Sequence, residues 1–141
     1  MTTIDGLISE FRAKHPTIRI GAEGAYTYLE SAEYEQMLHD WAENALAMEA
    51  RLVAEKIDQL WQAANAYTTN FISGVAIGLL AIGVMQSKPK ALAVTAWSSQ
   101  VWDEYYARKA AVTPGDKLNL DFSGFGPMPF SVPELRAELG M

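Results

Sequence analysis

A chain of 141 residues is the size of one ordinary domain and can bury a core. Half of its residues are hydrophobic and 20% are charged, which excludes a disordered segment. There is no cysteine, so disulfides, thiolate nucleophiles and cysteine-based zinc sites are excluded, and a formal charge of −6 sets the chain against nucleic acid as its main partner.

The first residues, MTTIDGLISEF, carry an early acid and no basic stretch ahead of an apolar core, so no secretory signal is expected and synthesis is expected in the cytoplasm. Ile4, Leu7, Ile8 and Phe11 follow the i, i+3, i+4, i+7 spacing of one helix face. Thr2 or Thr3 is placed to cap this helix, and His15-Pro16 ends it, because the residue before proline resists the α region. Thr17–Ile20 reads as a brief extended piece bounded by Gly21 and Gly24.

From Ser31, expected as an N-cap, the helical pattern is sustained. Tyr34, Leu38, Trp41, Ala45, Met48 and Leu52 alternate spacings of four and three, the signature of a helix seam. The stripe then drifts to Val53, Ile57, Leu60, Trp61 and Ala64, with no glycine or proline from Ser31 to Tyr67. One long helix is expected over about 31–66, with a weak break at Thr68-Thr69-Asn70.

The run Phe71–Met85 (FISGVAIGLLAIGVM) has no charged residue. It predicts a buried glycine-rich helix over about 69–86, and such a helix needs a cover. Each interior glycine costs roughly 1 kcal/mol of helix stability relative to alanine, and the physical return is close approach of another helix. Gly74, Gly78 and Gly83 are therefore the expected helix-packing residues. At 15 residues the apolar run falls short of the ~20 that span a bilayer, so a membrane span is the weaker account despite Lys88 and Lys90 after it.

Pro89 restarts a helix that runs to about Ala110, with Val94, Trp97, Val101 and Tyr105 on one face and Trp102 and Tyr106 beside it. This aromatic set reads as core or interface rather than as a platform for a sugar or base. Trp97 and Trp102 are the expected aromatic anchors for a partner. Thr113–Asp116 is a turn, and Lys117–Phe122 alternates as an edge strand would. The loop Ser123–Phe130 offers Phe125, Met128 and Phe130 as contacts to a partner. Ser131-Val132-Pro133-Glu134 opens a short final helix with a capping box. The expected organisation is residues 1–30, an N-terminal helix and extended segment; 31–110, a helical core; and 111–141, a C-terminal arm with a short strand and a short helix.

Catalytic parts are missing from this pattern. There is no Gly-x-Ser-x-Gly elbow, no P-loop and no dinucleotide fingerprint, and nothing implies a cofactor. Glu35, His39 and Glu43 share one helix face, but di-iron bundles need paired Glu-x-x-His motifs, so the face reads as solvated and no metal site is expected.

Two stretches carry a resemblance: KPKALAVTAWSSQVWDEYYARKA (Lys88–Ala110), following the apolar run, and LDFSGFGPMPFSVPELRAE (Leu120–Glu138). They resemble small virion-associated proteins of unassigned role from tailed bacteriophages. The resemblance covers the C-terminal half and implies a multi-copy virion component of the tail or connector region, or an assembly helper for one. It carries over no functional residues. The expectation is a mainly α, elongated helical bundle that acts as a non-enzymatic subunit and binds itself and other virion proteins. The alternatives are a small membrane-inserted phage protein such as a lysis factor, and a chaperone for tail or fibre assembly.

Overall fold

The computed structural model describes residues 2–21 and 27–141. About 70% of the described residues are helical, which makes the chain mainly α with a helical-bundle character. The elements are α1 (Ile4–Lys14), β1 (Arg19–Ile20), β2 (Thr27–Tyr28), α2 (Ser31–Phe71), α3 (Val75–Met85), α4 (Pro89–Ala110), a 3-10 turn at Ser123–Phe125 and α5 (Val132–Glu138). They sort into two compact units, Met1–Leu52 and Val53–Met141, and α2 contributes residues to both.

In the N-terminal unit, the Thr3 hydroxyl accepts a hydrogen bond from the Gly6 N–H at 3.0 Å, satisfying one of the free donors that open α1. The helix buries Leu7 and stops at His15, whose N–H donates to the Phe11 carbonyl at 2.8 Å. Phe11 and His15 set their ring edges against Trp41, at 6.1 and 5.3 Å between centroids. Arg12 pairs with Glu35, and the Tyr34 hydroxyl donates to the His15 carbonyl at 2.6 Å. Leu38 and Ala42 of α2 are fully buried. The strands β1 and β2 pair antiparallel, Arg19 opposite Tyr28 and Ile20 opposite Thr27. Gly24, the expected far bound of this extended segment, lies outside the described residues.

The expected break at Thr68–Asn70 is not where α2 ends. The Thr68 and Thr69 hydroxyls donate back to the carbonyls of Ala64 and Asn65, at 3.0 and 2.7 Å, and the helix runs on to Phe71. Gly74 makes the break: its φ of 55° and ψ of −120° suit a residue without a Cβ, and the chain bends by 82° between α2 and α3. Among the described residues no single helix is long and apolar enough to cross a membrane, although α2 and α3 taken together pass that test by length and composition.

The C-terminal unit has two adjoining cores. Leu60, Ala64, Trp97, Val101, Tyr105 and Phe122 form one; Leu79, Leu80, Ala91, Val94 and Leu135 form the other. The connection from α3 to α4 is a left-handed stop, with Ser87 at φ 53° and the Lys88 N–H donating to the Gly83 carbonyl at 2.8 Å. Lys88 gives α4 no side-chain cap. That cap comes instead from the Glu138 carboxylate of α5, which accepts from the N–H groups of Lys90 at 2.8 Å and Ala91 at 3.2 Å.

The edge strand expected over Lys117–Phe122 is not formed; these residues are irregular. Their carbonyls meet a side chain rather than a neighbouring strand. Arg108 donates to the carbonyls of Asn119 at 3.0 Å and Asp121 at 2.8 Å, and its guanidinium lies 4.3 Å from the centre of the Phe122 ring. The preceding turn is held similarly, by the Lys56 ammonium donating to the carbonyls of Pro114 at 2.7 Å and Asp116 at 2.5 Å. The capping box at Ser131 and Glu134 forms as expected.

Candidate interaction surface

Helix α3 is the most apolar element of the chain, without one charged or hydrogen-bonding side chain from Val75 to Met85. A helix that is apolar all round is ordinarily covered on every side. Its inner face is covered: Ala76, Leu79, Leu80 and Gly83 are buried, against α4 and α5. Its outer face is open, with Val75 55% exposed, Ile77 58%, Ile82 42%, Val84 39% and Met85 85%. The glycine-rich helix expected to be buried is thus buried on one side.

The three glycines divide accordingly. A Cβ added at Gly83 would meet the Ala91 Cβ well inside any real carbon–carbon contact, so the absence of a side chain there sets how closely α3 approaches α4. Gly83 thus sits at a close contact between two helices. Gly74 does not, because it lies outside the helix and serves the bend. Gly78 is helical and exposed, and among the described residues nothing lies within 4 Å of a Cβ built on it. Gly78, Ala81 and Met85 follow one line along the outer face at i, i+3, i+7. Ile77 and Val84 rise on one side of that line, Val75 and Ile82 on the other.

The aromatic anchors are placed differently from expectation. Trp97 is 7% exposed and belongs to the chain's own core, where its indole N–H donates to the Phe125 carbonyl at 3.2 Å. It has no surface to offer a partner. Trp102 is half-buried between Trp61, at 6.2 Å between ring centroids, and Tyr105, at 5.4 Å. Phe125, Met128 and Phe130 are half-buried too, folded back onto the two cores, and the Tyr67 hydroxyl donates to the Gly126 carbonyl beside them. The loop that read as an arm for partners therefore closes its own unit. Sequence reasoning placed it outside because the groups that fix it, Tyr67 and Trp97, stand 59 and 28 residues from their acceptors.

Elsewhere, His39, Asp40 and Glu43 present ligand atoms within 4.8 Å of one another on the surface of α2. Glu35, the remaining member of the expected polar face, is engaged by Arg12, and Asp40 accepts from the Gln36 amide at 2.9 Å. The His39 ring lies 3.4 Å from the Glu43 carboxylate. These groups satisfy one another in solvent. Two carboxylates are held below their ordinary range by local bonds: Asp121 by the Ser123 hydroxyl and N–H, and Glu134 by the Ser131 N–H and hydroxyl.

No family of related sequences, curated protein or solved structure is detectably similar to this chain.

Proposed function

We propose that this chain is a non-enzymatic structural subunit that associates with copies of itself through the outer face of α3. The observation that supports this reading is the open apolar face itself, four large side chains flanking the line of Gly78, Ala81 and Met85 on a helix with no polar group. Exposed patches of this sort mark interaction sites in water-soluble folds. The small residues Gly78 and Ala81 leave a shallow channel between two apolar ridges, which an equivalent helix fills, so a two-fold axis would set the face against itself. Lipid is the poorer cover. An 11-residue helix is about 16 Å long, roughly half the ~30 Å hydrocarbon thickness of a bilayer. What supports a tailed-bacteriophage particle as its setting, with other virion proteins as neighbours, is the resemblance of residues 88–110 and 120–138 to small virion-associated proteins.

Because the chain has no cysteine, single cysteines report on proximity. Ala81→Cys should cross-link between copies under mild oxidation, whereas Ala13→Cys on the exposed side of α1 should not. Equal, negligible cross-linking at both positions contradicts the reading. Abundance in the purified particle separates a virion component from an assembly helper, and carbonate-resistant membrane association would favour an inserted lysis-type protein instead.

A further inference from the structure

Helix α4 carries a second polar–aromatic stripe that self-association leaves unused. Thr95, Ser98, Ser99, Trp102 and Asp103 lie at i, i+3, i+4, i+7 and i+8, so they share one side of the helix. They line an open cleft of about 360 Å³, whose apolar wall comes from Ile72 and Leu80. This volume is at the lower end of the roughly 300–1,000 Å³ of small-molecule sites.

The lining chemistry restricts the occupant. Trp102 offers an indole edge and face that Trp61 and Tyr105 hold in place, so its orientation is set before any ligand arrives. Thr95 donates its hydroxyl proton to the Ala91 carbonyl at 2.9 Å, which leaves its oxygen free to accept. Ser98 and Ser99 add two hydroxyls that both donate and accept. Asp103 is the single ionisable group in the lining, and it is an acid. An anionic ligand would face that carboxylate with no cation to offset it. A purely apolar ligand would leave three hydroxyls and a carboxylate without use.

A ligand with one apolar face and a rim of hydroxyls meets every element. We propose that this cleft binds a neutral hexose unit, its C–H face on the Trp102 indole and adjacent hydroxyls donating to the Asp103 carboxylate, with Ser98 and Ser99 as further hydrogen-bond partners.

The test is a nuclear magnetic resonance titration of the intact chain with glucose, galactose, mannose and N-acetylglucosamine, and in parallel with choline chloride. The proposal expects at least one sugar to give saturable shifts at Ser98, Ser99, Asp103 and the Trp102 indole. Trp102→Leu also removes packing against Trp61 and Tyr105, so the exposed Asp103→Asn is the deciding variant. It should weaken sugar binding about tenfold or more, with helicity unchanged, because it removes hydrogen bonds to a charged acceptor. Three results would overturn the proposal: no sugar shifts these residues, Asp103→Asn binds the sugar as tightly as the natural chain, or choline binds there while no sugar does.

Discussion

The two faces of α3 have the same chemistry and opposite surroundings. Ala76, Leu79, Leu80 and Gly83 look inward and meet α4 and α5; Val75, Ile77, Gly78, Ala81, Ile82, Val84 and Met85 look outward and are exposed. Hydrophobicity alone does not distinguish them, since the helix is apolar all round. What distinguishes them is which partner the chain itself supplies. The inner face finds Ala91 and Leu135 within the fold; the outer face is the one proposed to meet a second molecule.

The largest contrast should come from truncating one residue on each face. Leu79→Ala, at a position 5% exposed, should cost about 2–5 kcal/mol in chemical denaturation, the lost contacts plus a cavity. Ile77→Ala, at a position 58% exposed, should change the stability of the dilute chain by no more than about 0.5 kcal/mol. Equal losses at the two positions would break the comparison. A smaller effect is expected where the inner face is tightest. Gly83→Ala forces a methyl into Ala91 and should cost about 1–3 kcal/mol, although alanine is the better helix former.

Smaller still is the contribution of the cap that ties α5 to α4. Glu138→Gln keeps an acceptor but removes the charge at the helix N-terminus, and a loss of about 0.5–1 kcal/mol is expected from thermal melts. The least effect belongs to the capping box. Glu134 is depressed below its ordinary value of 4.5 in the folded chain, so its contribution is complete above that value and is lost as pH falls through the lower folded value. Acid titration should therefore show Glu134→Gln and the natural chain converging in stability below the folded pKa, and differing only above it.

Much of this fold is legible because it is local. The Thr3 cap, the Ser131–Glu134 box and the seam from Tyr34 through Leu38 and Trp41 are written within a few residues of where they act. The buried face of α4, Val94, Trp97, Val101 and Tyr105, is equally plain from its spacing. What escaped is non-local. The alternation of Leu118, Leu120 and Phe122 satisfies a strand pattern, yet a strand needs a neighbour, and Arg108 takes up the carbonyls instead. Likewise, Glu138 caps α4 through the N–H of Lys90, 48 residues before it. The candidate surface was half legible: the apolar run announced that α3 needs a cover, but the three glycines look alike in sequence. Only their positions separate the bend at Gly74, the contact at Gly83 and the open surface at Gly78.

The decisive measurement is light scattering on the natural chain and on Gly78→Leu, without detergent and across a range of concentrations. The account predicts that the natural chain forms a multiple of 15.5 kDa, whereas Gly78→Leu, which gains helix propensity and fills no space within its own fold, stays folded and shifts toward the monomer. A natural chain that remains monomeric throughout, or a Gly78→Leu variant that assembles as the natural chain does, would contradict the central claim that the outer face of α3 is an assembly surface.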